Sequence, residues 1–98
     1  MWQTASFPKC FNANLVNLNM RKIEHIGIAV TDLEKSNLLF SKLLGKEHFK
    51  TEKVDGEKVV TSFFQVGETK VELLQATDEN SPIAKYLERR SEGVHHIA

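Results

Sequence analysis

The sequence predicts an α+β fold: a strand, a helix, three strands, a second helix and the start of a further strand. Three observations carry this prediction. β-Branched residues alternate through Ile23 to Val30 directly ahead of a helix-start signal. A glycine turn joins two apolar runs around Gly67. The run EHIGIAV at Glu24 to Val30 is echoed by HHIA at His95 to Ala98.

In the first strand, alternation sets Ile26, Ile28 and Val30 on one face and His25, Gly27 and Ala29 on the other, so the bulky face is expected to pack on a core. Thr31 and Glu34 read as a capping box, in which a hydroxyl and a carboxylate satisfy free backbone donors at a helix start. The helix carries Leu33, Phe40, Leu43 and Leu44, with Leu38 and Leu39 widening the apolar stripe. It stops at Gly45, which suits the left-handed conformation that ends helices. That length is about three turns. Phe49 to Lys53 is a short polar strand leading to an Asp55-Gly56 turn, and Lys58 to Val66 is a stronger strand with Val59, Val60, Phe63 and Phe64. Gly67-Glu68 fits a two-residue hairpin with glycine first, which makes Thr69 to Gln75 antiparallel to the strand before it. Ser81-Pro82 opens the second helix, because the donor that proline lacks has no helical partner there. Ile83, Ala84, Tyr86 and Leu87 supply its apolar side, and Gly93 ends the segment.

Composition narrows the function classes. With 98 residues there is room for one small domain. At 41% hydrophobic and 27% charged, with 13 basic and 13 acidic residues interspersed, the chain is ordinary globular material without the clustered basic footprint of nucleic-acid binding. No apolar run approaches the roughly 20 residues that span a bilayer, so no membrane role is expected. The single cysteine, Cys10, has no intramolecular partner and no nearby base, which favours a reducing, cytoplasmic setting and an inert thiol. Residues 1–19 lack the pattern of a targeting signal and read as an extension outside the core, with Trp2, Phe7 and Phe11 able to dock on apolar surface.

The repeat aligns His25 with His96 and Ile26 with Ile97, about 70 residues apart, where a second copy of the strand-helix-strands unit would begin. It predicts equivalent roles for His25 and His96. In TKVELLQ, alternation turns Val71 and Leu73 to the core and Glu72 to the face that His25 occupies, while the small Gly27 and Ala29 leave space above it. Two imidazoles and a carboxylate suit a borderline divalent ion. A lone strand histidine is more often a plain polar residue and a strand carboxylate is usually just solvated, so the repeat is what raises these three. His95 is read as a bystander, His48 as surface, and the Glu88-Arg89-Arg90 run as a solvated helix end suited to the helix dipole.

HIGIAVTDLEKS, GETKVELLQ, ENSPIAKYLE and GVHHIA, in this order and spacing, resemble the first half of methylmalonyl-CoA epimerases of the vicinal oxygen chelate superfamily. The first motif alone indicates only the superfamily, whereas the stretch from ELL through SPIAKYLE to HHIA is more specific to the epimerases. The resemblance runs from Met20 to Ala98. It implies a glyoxalase-like βαβββ module over 20–93 and the start of a truncated second module over 94–98. It also implies a divalent metal, cobalt first, with nickel, zinc or manganese as alternatives. By motif position the metal ligands are His25, Glu72 and His96; some epimerases carry glutamine where this chain has Glu72. A fourth ligand, a glutamate late in a second module, has no counterpart here. The implied reaction inverts the C2 centre of an acyl-CoA, methylmalonyl-CoA, by proton exchange through an enolate whose charge the metal offsets. In some members a third-strand glutamate is a base, but Lys58 to Phe64 contains no acid and Thr61 occupies that region, so no catalytic residue is assigned.

Two other readings share the scaffold: a glyoxalase I-like lyase, disfavoured by SPIAKYLE, and a bleomycin-resistance-like binding module, disfavoured by His25, Glu72 and His96 on one face. A lone module presents a concave face and an unpaired strand edge. A homodimer is therefore expected, in which a second chain takes the sister module's place and His96 becomes redundant.

Overall fold

In the computed structural model, which describes residues 21–98, the elements follow the expected order: β1 (His25–Ala29), α1 (Leu33–Leu44), β2 (Lys50–Val54), β3 (Val59–Val66), β4 (Thr69–Ala76), α2 (Pro82–Arg89) and β5 (Gly93–Ile97). The expectations for Trp2, Phe7, Cys10 and Phe11 lie outside the described residues. All five strands form one mixed sheet in the order β2-β3-β4-β1-β5. β1 runs parallel to β4, as a crossover through α1 requires, and the other pairings are antiparallel. This is the α+β, βαβββ glyoxalase-like module, with a fifth strand added beside β1. No helix among the described residues is long and apolar enough to cross a membrane.

The two faces of the sheet are covered differently. On one, Val30, Leu33, Phe64 and Leu73 form a buried cluster with Ile28, Phe40, Leu44, Val60 and Val71 against it, so α1 seals the bulky face as alternation demands. On the other, α2 covers only one end, where Ile83 packs with Ala29, Val59 and Leu74. His25 lies on this second face at the opposite end of β1, four residues before Ala29, and Glu72 follows the same alternation on β4.

Several local expectations are corrected. The α1 cap is Asp32, not Thr31: its carboxylate accepts from Lys35 N, while Gln75 Oε1 takes the Leu33 N–H and Thr31 gives both its N–H and its hydroxyl to Glu92. Leu38, Leu39 and Leu43 do not join the core; each is more than half exposed. The helix is too short and too peripheral for its whole apolar arc to reach the sheet, so only Leu33, Phe40 and Leu44 do so. At the β2-β3 turn the positive φ falls on Lys58 (55°), not on Gly56. His48 is half-buried with its ring against Phe64, 5.8 Å between centroids, and so is not a surface residue. Gly45 caps α1 at φ 71°, Gly67 opens the β3-β4 hairpin at φ 61°, and Ser81 caps α2 with proline next, all as the sequence indicates.

β5 pairs antiparallel with the edge of β1 that faces away from β4. Ile26 pairs with Ile97 and Gly27 with His96, then a bulge follows, so that Ile28 pairs with Val94. His95 is therefore the extra residue of the bulge. Ile26 and Ile97 are also equivalent positions of the sequence repeat, which puts a local two-fold axis between the two strands.

Candidate metal centre

That local axis brings the two repeat histidines together. One donor atom from each of His25, Glu72 and His96 lies within 4.8 Å of the others. His25 and Glu72 are buried, at 5% and 4% exposure, and His96 is half-buried. β1, between β4 and β5, supplies His25, the central β4 supplies Glu72, and the antiparallel β5 returns His96 over Gly27. A Cβ built on Gly27 would stand 2.2 Å from His96 Cε1 and 2.6 Å from Nε2. The space expected above Gly27 is thus filled by the His96 ring.

The hydrogen bonds fix how the rings face. His25 Nδ1 donates to Glu24 Oε1 at 2.6 Å and stands 3.6 Å from Glu72 Oε2, which leaves Nε2 as the lone-pair nitrogen. His25 Nε2 faces His96 Nε2 at 3.0 Å, and His96 Nδ1 faces His95 Nδ1, also at 3.0 Å. Two lone pairs do not face each other at that distance without a proton or a cation between them. Glu72 Oε1 is buried without a hydrogen-bond partner among the described residues, the state of an acceptor that a cation would satisfy. The donor set fits a divalent ion.

Electrostatics favour the same reading. Burial, then the cost of placing a further charge beside the neighbouring imidazoles, holds His96 down at about 4, and burial lowers His95 as well. Both rings are therefore neutral at pH 7, the form in which imidazole ligates. Burial raises Glu72, with His25 opposing that shift. Glu24 is lowered by its bonds to Lys70, at 2.6 Å, and to His25, and the same bond raises Lys70. A cleft of ≈ 220 Å³ opens beside the cluster, lined by Glu24, His25, Lys50, Glu52, Phe63, Lys70 and Glu72. Thr61 is fully buried and does not line it.

All three predicted ligands thus converge. Two neighbours were missed. His95, read as a bystander, is brought by the bulge against the Tyr86 ring (5.0 Å) and the His96 ring (5.2 Å). Glu24 holds His25. The signal for both was present in the repeat, since Glu24 and His95 are aligned positions, each directly before a candidate ligand.

Residues 24–98 match the model of the Glyoxalase/Bleomycin resistance protein/Dioxygenase superfamily. The chain belongs to that superfamily. Within it, the chain is 37% identical over 79 residues to the uncharacterized Bacillus subtilis protein YqjC, covering 81% of this chain and 56% of that protein. It is 35% identical over 80 residues to the human mitochondrial methylmalonyl-CoA epimerase, covering 81% of this chain and 46% of the enzyme. The chain therefore spans about half the length of these relatives. Among solved structures, a variant of the Streptomyces coelicolor methylmalonyl-CoA epimerase in complex with 2-nitronate-propionyl-CoA superposes with a TM-score of 0.75 at 33% identity, over 81% of this chain and 59% of that one. The Mycobacterium tuberculosis methylmalonyl-CoA epimerase gives a TM-score of 0.77 at 27% identity, over 85% of this chain and 57% of that one.

Proposed function

We propose that this superfamily member contributes the first-module half of a divalent-metal site of a methylmalonyl-CoA epimerase, acting on the C2 proton of methylmalonyl-CoA. The observation that carries the reading is the convergence of His25, Glu72 and His96 on one point beside an open cleft, with a Glu72 carboxylate oxygen that has no partner among the described residues. The relation to methylmalonyl-CoA epimerases supplies the substrate class.

In this reading His25, Glu72 and His96 are the ligands. An ion held by these three residues would supply Lewis acidity, making the C2 proton acidic enough for a side-chain base. The residues of the chain do the rest. Glu24 keeps His25 in the tautomer that offers Nε2. Lys50 and Lys70 place positive charge on the cleft wall, suited to the substrate carboxylate, and the Phe63 ring forms an apolar part of that wall. Of the wall carboxylates, Glu72 is a candidate ligand, Glu24 is engaged by His25 and Lys70, and Glu52 pairs with Lys50 at 4.0 Å.

The test pairs metal uptake with ligand response. The 98-residue chain titrated with Co²⁺ should bind about one ion and develop visible absorption bands. Those bands should shift on addition of 2-nitronate-propionyl-CoA, while C2 proton exchange on methylmalonyl-CoA by the chain alone stays slow, because these residues supply three ligands and not the four that the resemblance implies. A shift with S-lactoylglutathione instead would replace the epimerase by a glyoxalase I-like activity. Absence of metal uptake would replace it by a metal-free binding module.

A further inference from the structure

The two candidate imidazole ligands are each contacted at Nδ1 by the residue directly before them in sequence. Glu24 Oε1 is 2.6 Å from His25 Nδ1, and His95 Nδ1 is 3.0 Å from His96 Nδ1. These are equivalent positions of the repeat, and they reach equivalent atoms by different routes. Glu24 lies just ahead of β1 and is steadied by Lys70. His95 reaches its neighbour because it is the extra residue of the β5 bulge, with the edge of its ring set nearly perpendicular to the Tyr86 ring (86°) and to the His96 ring (87°). The Tyr86 hydroxyl in turn donates to Val94 O at 3.0 Å, which ties α2 to the residue preceding the bulge.

We propose that His95 is a positioning residue for His96, the second-half counterpart of Glu24 for His25, fixing the tautomer and plane of the His96 ring so that Nε2 faces the donor cluster. This inference rests on the metal-site reading above. An imidazole that ligates through one nitrogen needs its other nitrogen held by a partner, and loss of such a partner typically weakens metal binding by about 10–100-fold. A carboxylate raises the basicity of the ring it holds more than a neutral imidazole does. His25 is therefore the firmer of the two nitrogen donors and His96 the more readily exchanged.

The experiment uses the full 98-residue chain and two variants. His95→Phe keeps a ring against Tyr86 but removes the hydrogen bond to His96, and His95→Gln keeps a hydrogen-bonding group in place of the ring. Co²⁺ affinity and visible spectra are measured for all three, and histidine side-chain ¹⁵N NMR of the metal-free proteins reports the His96 tautomer. The expected results are a single His96 tautomer in the wild type and a mixture in His95→Phe. His95→Phe should also lose roughly tenfold or more in Co²⁺ affinity with displaced bands, and His95→Gln should recover most of that loss. Equal affinity and spectra for wild type and His95→Phe would overturn the proposal. So would a His95→Gln variant no better than His95→Phe, which would reduce His95 to a packing role. A wild-type chain that takes up no Co²⁺ would instead overturn the metal-site reading, and the NMR comparison would then decide the His95–His96 contact alone.

Discussion

Gly27 is glycine because another residue's ring occupies the place of its side chain. A methyl group there would sit 2.2–2.7 Å from three atoms of His96, well inside van der Waals contact, and β1 cannot yield because it is paired on both sides. The His96 ring is what must move. In Gly27→Ala the displaced ring no longer faces His25, so Co²⁺ affinity should fall by tenfold or more while the thermal midpoint changes little, since no core side chain is lost. Metal titration beside a melting curve checks this; unaltered affinity would mean that His96 is not a ligand. At this scale the sequence was a good guide to which residues meet and a poor one to how. Alternation around His25 and Glu72 and the repeat at His96 identified the cluster, because strand faces and repeats are both written in residue order. The identical emptiness of glycine and the space it leaves gave no hint that a residue almost seventy positions away would fill it.

The elements show where local signals compete. Thr31 and Asp32 are both good cap residues, and a pattern with Glu34 three positions after Thr31 favours the threonine. Asp32 prevails because two long-range partners settle the question: Glu92 draws off both Thr31 donors, and Gln75 satisfies the Leu33 N–H. The expected outcome is that Asp32→Ala lowers stability by about 1 kcal/mol through lost capping. Leu39→Lys, on the exposed arc of α1, should change it by less than about 0.5 kcal/mol. Urea denaturation of both variants tests the pair, and a Leu39→Lys loss as large as that of Asp32→Ala would restore the broader buried stripe read from periodicity. The bulge in β5 was hidden for a related reason. A two-residue alternation sends His95 and His96 to opposite faces, and only pairing against β1 reveals that one of them is extra and turns toward Tyr86.

At the scale of the whole molecule, the sheet has two outer strands with unlike character. β2 carries Lys50, Thr51, Glu52 and Lys53, all exposed, and such charges discourage another strand from adding to it. β5 reads GVHHI, without a lysine or an acid, and exposes Val94 at 53% and Ile97 at 60%. A homodimer of the kind expected from an unpaired strand edge would therefore use the outer side of β5. β5 already covers β1 and brings His96 of the same chain beside His25 and Glu72. A second copy would instead meet the outer side of β5, where an antiparallel pairing of two β5 strands across a two-fold axis closes without further addition. The 98-residue chain should be a dimer at tens of micromolar by light scattering. Val94→Lys and Ile97→Lys together should make it a monomer with Co²⁺ affinity retained, since Val94 and Ile97 pair with Ile28 and Ile26 on the α1 side of the sheet while His96 lies on the other. A monomeric wild type, or a dimer indifferent to both lysines, would rule out association through β5.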